Sequence, residues 1–384
     1  RELYLAPGDK YSLTNLNDSR GALGRTGYFE SSTIEEKRLS ESSMDLVVKV
    51  KEAATGNIQL GGGYGSYGGI MLNVGVNDRN VFGSGIDVGV KAEKSQRTMS
   101  ASFNISNPRL NDSDFSGNFS IFTSEFEYND YTVNSTGTGF GVGRRFTRYI
   151  SGYMGYNYSD NSYSGYSATY LENPRYRRFL QNYDKSAVTT SITYDSTDDY
   201  YLPRKGWTAS QSLEYAGVGG KAEFIKSRTT FGKYYGFKKL VGFDMIGRYK
   251  ARYFQAFDEG FLPLAERFYM GGFGSVRGYE SYSISPVIVE SDGYQTRIGG
   301  KKTFSNNIEA NFPFIPSAKM RLTTFFDWGF IGDDSLTEYS RGGYGLGLEW
   351  FSPMGPIQLI FARPLNNQAE DKLAFFEFTM GQRF

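Results

Sequence analysis

Arg321–Phe330 reads RLTTFFDWGF, and its residues sort by parity. Leu322, Thr324, Phe326, Trp328 and Phe330 take the even positions; Arg321, Thr323, Phe325, Asp327 and Gly329 take the odd ones. Successive side chains of a β-strand point to opposite faces, so this segment has one apolar and one largely polar face. Leu240–Tyr253 does the same, setting Val241, Phe243, Met245, Gly247, Tyr249, Ala251 and Tyr253 against a face that carries Asp244, Arg248, Lys250 and Arg252. On both sides of these two stretches, strand-length segments succeed one another from about Asn57 to Phe384, with no helical periodicity between them. The spacing predicts strands near 57–66, 69–77, 84–94, 97–107, 115–127, 133–145, 149–159, 186–197, 206–215, 221–235, 239–254, 301–312, 319–331, 341–351, 356–363 and 373–384, which makes about sixteen.

Composition says what such strands enclose. The 384 residues include 30 Tyr, 31 Phe and 47 Gly, yet only 39% are hydrophobic. No run approaches the roughly 18 apolar residues of a membrane-spanning helix. So many rings with so little aliphatic bulk suit a barrel with a lipid face, aromatic girdles and a polar lumen. A soluble sandwich or propeller is the alternative, but the chain has no repeat of blade-like period. The expected fold is therefore mainly β: an antiparallel transmembrane β-barrel of about 16 strands over residues 55–384.

Residues 1–54 follow different rules. Leu13, Leu16, Arg20, Leu23 and Gly27 recur at helical intervals behind Ser12, a capping residue. Two short strands, Thr33–Leu39 and Asp45–Lys51, come next. A helix and a hairpin bury too little to fold alone, so this stretch reads as the C-terminal part of a small α/β domain whose start has been cut away. No signal peptide precedes Arg1, so an exported chain would be mature or a fragment.

Connections sort by parity as well. The two longest, about 160–185 and 255–300, follow the seventh and eleventh predicted strands and so share one rim. Pro108, Pro203, Pro313, Pro316, Pro353 and Pro356 lie in connections after even strands, at the other rim. Long loops outside and tight turns inside is the outer-membrane pattern, which puts the N-terminal domain in the periplasm.

Two absences narrow the chemistry. With no Cys and no His, the chain cannot build a Cys or His zinc site, a disulfide, a Cys nucleophile or a Ser-His-Asp relay. We expect no enzyme activity, no metal and no cofactor. A formal net charge of +1 gives no argument for nucleic acid as a partner.

The second long loop contains Phe268–Tyr282, FYMGGFGSVRGYESY, too rich in rings for a solvated linker. Its Val276-Arg277-Gly278-Tyr279 resembles the VRG(F/Y) signature of the BamA superfamily of outer-membrane assembly and secretion barrels. The resemblance covers nearly the whole chain. Residues 1–54 look like the tail of that family's last polypeptide-transport-associated (POTRA) domain, with Gly27-Tyr28-Phe29 ending a helix and Val47–Glu52 forming the last strand. Leu60–Gly69, LGGGYGSYGG, is similar to the family's first barrel strand, and Trp350–Pro356, WFSPMGP, to the turn before its penultimate strand.

The resemblance implies an insertase that folds other β-barrels into the bacterial outer membrane through a lateral gate between first and last strands. It implies unfolded outer-membrane barrel proteins as clients, accessory lipoproteins and periplasmic chaperones as partners, and the outer-membrane lipid as the medium. It also implies that the motif loop folds into the lumen, where Arg277 meets acids. Strand alternation names Glu309, on the polar side of the twelfth predicted strand, and Asp327 on the thirteenth. The gate falls on Gly61, Gly62, Gly63 and Gly65 in the first strand, where glycines weaken pairing or else relieve lumen crowding. Opposite them, Phe376, Phe378, Gly381 and Phe384 belong to a last strand that resembles the terminal aromatic signal of outer-membrane barrels. A two-partner-type polypeptide secretion transporter is the alternative within the same superfamily, a passive porin lies further off, and the outer-membrane barrel enzymes rely on a histidine that this chain lacks.

Overall fold

The computed structural model describes residues 3–41, 43–199, 202–289, 293, 295–352 and 355–380. Its N-terminal unit is a helix, α1 (Leu13–Thr26), on a hairpin of β1 (Phe29–Arg38) and β2 (Met44–Glu52). The Ser12 hydroxyl accepts the Asn15 N–H and caps the helix. Leu16, Leu23 and Ile34 form its small buried core, with Leu5, Phe29 and Leu46 packed around them.

The remaining long strands close into one barrel. In order they are β3 (Gly56–Gly65), β4 (Gly69–Asp78), β5 (Asp87–Lys94), β6 (Thr98–Asn107), β7 (Phe115–Glu127), β8 (Thr132–Arg145), β9 (Ile150–Ser164), β10 (Tyr183–Asp195), β11 (Lys205–Gly220), β12 (Glu223–Gly236) and β13 (Ile246–Phe261). A minor hairpin, β14 (Val287–Val289) with β15 (Gln295–Arg297), lies in the long loop. The barrel resumes with β16 (Lys302–Ile315), β17 (Met320–Gly332), β18 (Tyr339–Ser352), β19 (Gly355–Leu365) and β20 (Phe376–Met380). Each of the sixteen barrel strands pairs antiparallel with its neighbours, and β20 returns to β3.

Alternation sets the two surfaces. Ile58, Leu60, Ile70, Leu72, Val74 and Val76 are exposed on the outer face of β3 and β4, while Ile308, Phe326, Tyr344 and Phe361 continue that belt on the far side. These are the residues a hydrocarbon layer would cover.

Several expected boundaries shift, among them the ends of the seventh and ninth barrel strands, at Ser164 and Gly220 instead of 159 and 215. The eleventh barrel strand begins at Ile246 instead of 239, because Phe237–Gly242 closes a helical turn, α3 (Lys238–Val241), in which Val241 N–H donates to the Phe237 carbonyl at 3.0 Å. That strand runs on to Phe261, so the inward loop starts at Leu262 and not near 255. The last strand starts at Phe376 instead of 373.

Two features fix what is open and what is shut. The N-terminal unit faces the tight-turn rim, where Tyr28 Oη donates to the Gly85 carbonyl at 3.4 Å, and a cleft of about 1340 Å³ separates it from Pro108 and Arg109 in the turn after β6 and Arg144 near the end of β8. At the other rim the 165–182 loop, with α2 (Pro174–Phe179), lays Tyr170, Tyr176 and Leu180 against Leu262, Leu264 and Phe268 of the long loop. Side chains therefore fill the outer mouth of the barrel.

Candidate functional site

The loop between β13 and β16 folds back into the lumen, and backbone pairing holds it there. Phe268 pairs with Gly300, Met270 with Ile284 and Tyr279 with Leu373. Glu280 N–H donates to the Lys372 carbonyl at 2.9 Å, and Ala374 N–H donates to the Gly278 carbonyl at 3.1 Å. Val276 and Tyr279 are fully buried with Met270, Ile284 and Ile331. The Tyr279 hydroxyl donates to the Leu365 carbonyl at 2.6 Å. Gly278 has φ +98°, and a Cβ there would press on Pro364 N at 3.0 Å, so the motif's third position excludes side chains twice over.

At the tip, Arg277 meets both acids that alternation names. Its Nε and Nη2 donate to the two Asp327 oxygens at 2.7 Å each, and its Nη1 lies 2.9 Å from Glu309. Asp327 also accepts the Arg277 backbone N–H at 3.1 Å and Asn307 Nδ2 at 2.8 Å. The guanidinium sits 3.6 Å over the Phe325 ring. Arginine suits this place because one planar fork can satisfy a bidentate carboxylate, a second acid and a ring face together. Asp327 is 0% exposed, so the cost of burying its charge is offset only while the fork stays in place.

The same lumen wall extends the network. Glu309 is 3.5 Å from Arg248, whose Nη1 and Nη2 donate to Glu349 at 2.8 and 3.2 Å. Arg252 donates to Asn307 Oδ1 at 2.8 Å, and Asn307 Nδ2 reaches the Ser275 carbonyl at 2.8 Å, tying loop and wall once more. Arg248 and Arg252 fall on the polar face of their strand in the sequence, but their partners do not follow from alternation.

A second anchor lies at the loop's base and escapes sequence reading altogether. Glu266 pairs with Lys185 of β10 at 2.8 Å and with Lys226 of β12, and Glu214 of β11 lies 3.1 Å from Lys185. Burial works to raise the Glu266 carboxyl, yet the two lysines hold it well below the usual carboxylate range. Alternation would have offered the two lysines as lumen-facing; nothing local couples them to an acid forty residues or more away. Arg267 pairs with Asp333 and donates to the Gly299 carbonyl, which closes the loop's neck.

The seam is the other candidate. Among the described residues, Thr379 pairs with Gly65 and closes β20 onto β3. Ser66 N–H donates to the Phe378 carbonyl at 2.9 Å, Phe378 N–H donates to Ser66 Oγ at 2.8 Å, and the Tyr64 and Phe378 rings lie 5.7 Å apart. Gly61, Gly63 and Gly65 face the lumen and Gly62 the lipid. A Cβ on Gly63 would overlap the Met380 carbonyl oxygen, as one on Gly137 would overlap that of Tyr158 and one on Gly345 that of Phe361 in laterally paired strands. Crowding by β20 is thus one reason for a glycine at position 63. Phe376 lies on the lipid face beside Phe361, their rings 5.1 Å apart. Gly381 and Phe384, with Pro353 and Met354 of the WFSPMGP turn, lie outside the described residues.

Comparison with known proteins agrees with this geometry. Residues 80–384 match the Omp85 superfamily domain, and residues 1–53 match a POTRA model described as a surface antigen variable number repeat. The outer membrane protein assembly factor BamA of Nitratidesulfovibrio vulgaris is 31% identical over 396 residues, covering 100% of this chain and 49% of the relative. The chain spans about half the length of the curated relatives it matches. Among solved structures, BamA from Haemophilus ducreyi lacking POTRA domains 1–3 shares the fold at a TM-score of 0.86 and 22% identity, over 100% of this chain and 81% of that one. CdiB from Acinetobacter baumannii shares it at a TM-score of 0.63 and 16% identity, over 99% of this chain and 70% of that one. The family match spans most of the barrel and includes the docked arginine loop, so the chain belongs to the Omp85 superfamily and is a protein of the bacterial outer membrane.

Proposed function

We propose that this chain is the barrel and last POTRA unit of an insertase that folds client β-barrels into the outer membrane, with no covalent chemistry. The meeting of a glycine-rich first strand, with Gly61, Gly62, Gly63 and Gly65, and the last strand at Thr379–Gly65 carries the reading. Parting such a seam exposes an edge of unpaired backbone donors and acceptors, and an unfolded client strand can add to it by main-chain hydrogen bonding. Val276–Tyr279 serves as the structural latch that holds the lumen loop, with Glu309 and Asp327 as its receptors. Gly61–Gly65 and Phe376–Met380 serve as the gate. The N-terminal unit faces the periplasm, where chaperones and accessory lipoproteins would hand over clients. A secretion transporter must instead pass a polypeptide through the lumen, into which the long loop folds here.

The test joins Gly65 and Thr379, replaced by cysteines, across the registered pair in the full-length protein. Reconstituted in liposomes with an unfolded barrel client, the oxidised protein should lose insertion and regain it on reduction. Unchanged insertion at verified cross-linking overturns the gate. Pore conductance recorded in parallel reports on the transporter reading.

A further inference from the structure

Behind the seam, at the outer rim, lies a cavity of about 330 Å³ that the gate strands line in part, through Gly65, Glu377 and Thr379. Gln358 of β19 and Glu377 and Thr379 of β20 line it from the lumen face of the last two strands, and Gln358 pairs in register with Thr379. Gln358 Oε1, Glu377 Oε2 and Thr379 Oγ1 are all buried, and none has a hydrogen-bond partner among the described residues. Gln358 is only 4% exposed. Three orphaned oxygens on one wall are costly unless something donates to them.

The other wall narrows what that something is. Tyr67, Phe126, Phe273 and Tyr282 face the cavity from the first outer turn, β7 and the long loop. The Tyr282 ring is 5.5 Å from Tyr67 and 5.6 Å from Phe126. Two carboxylates, Glu93 and Glu377, line the cavity, and no lysine or arginine does so among the described residues. Glu93 is engaged by Lys91 at 3.3 Å, whereas among the described residues no ion pair reaches Glu377. The Tyr67 ring already accepts the Arg97 guanidinium at 4.5 Å, so this wall has the electronic character that stacks a cation. A hard divalent cation would want six or more oxygens in place of rings.

We propose that this chamber is a binding site for an organic cation, a guanidinium or primary ammonium on an apolar stem. The charged head meets Glu377, Gln358 and Thr379, and the stem lies among the rings. The volume is at the small end of ligand pockets and fits one such group. This inference is independent of the insertase reading. The cation could be a free solute from the outer face or a basic side chain of an extended peptide.

Agmatine titrated by calorimetry into the full chain in detergent micelles should bind saturably at one site. Glu377→Gln should weaken it at least tenfold and Gln358→Leu several-fold, while butanesulfonate, an anion of similar length, should not bind to wild type. Absence of saturable agmatine binding, equal affinity in Glu377→Gln, or equal binding of butanesulfonate overturns the proposal; the first and last need no variant to fold. An extended nonapeptide with a central arginine, run beside its glutamine counterpart, separates the sources. Competition with agmatine by the arginine peptide alone assigns a side-chain guest, competition by neither assigns a free solute, and equal competition by both overturns the cation reading.

Discussion

Removing the arginine from the lumen latch tests the loop's docking most directly. In Arg277→Ala, Asp327 loses both side-chain donors at 2.7 Å and keeps Asn307 and the backbone N–H; Glu309 keeps Arg248 at 3.5 Å. Asp327 is fully buried and Glu309 nearly so, which leaves buried charge without its partner. Breaking a buried pair from one side costs about 3–5 kcal/mol, and each ~1.4 kcal/mol is a tenfold change in an equilibrium. Local opening of the loop should therefore rise by roughly two to three and a half decades, read as hydrogen exchange at Val276–Tyr279 and at their backbone partners Lys372–Ala374. Arg277→Lys keeps the charge but not the fork and should fall between. Pairing Arg277→Met with Asp327→Leu removes both charges and should recover part of the loss. Exchange within threefold of wild type in a folded Arg277→Ala barrel would show that backbone pairing alone docks the loop, and the latch argument would fail.

Glu266→Gln should raise exchange at the loop base, residues 262–268, by about 100-fold or more, because Lys226, 3% exposed, is left with Glu214 at 3.7 Å. It shares no partner with Arg277, so the double variant should be additive within about 0.5 kcal/mol, and strong coupling in the cycle would refute two separate anchors. Gly63→Val puts a side chain where the Met380 carbonyl lies; at an overpacking cost of about 1–3 kcal/mol it should lower the yield of a cysteine cross-link between positions 65 and 379 several-fold, and an unchanged yield counts against the close approach. In the tight turn before β13, Arg204 and then Arg321 hold Asp244 down at about 2 from its ordinary 3.8. A depressed carboxylate stabilises above its unfolded value and stops doing so as pH falls through its folded one, so the 237–245 turn should loosen between about pH 4 and pH 2; Asp244→Asn should abolish that step in hydrogen exchange, and persistence of the step would assign it elsewhere.

Parity in the chain was enough to read the barrel, its strand number and which residues face lipid, because alternation is a local consequence of strand geometry. Glu309 was legible for the same reason, with Asn307 and Asn311 two residues to either side, and Asp327 because it shares its parity with Arg321 and Thr323 opposite an apolar face. The start of β13 was not legible, since Lys238–Val241 alternates acceptably as strand and forms a helical turn only because the chain must reverse at the rim. Tertiary structure alone decided the rest. Lys185, Glu214, Lys226 and Glu266 come from three strands and a loop, and closure of the barrel sets their distances. The reason Gly63 must lack a side chain lies 317 residues away in the Met380 carbonyl, and the three orphaned oxygens behind the seam become one site only where β19 and β20 meet the returning loop. Local patterns specify faces, whereas charges and cavities that depend on which faces meet are specified by the fold.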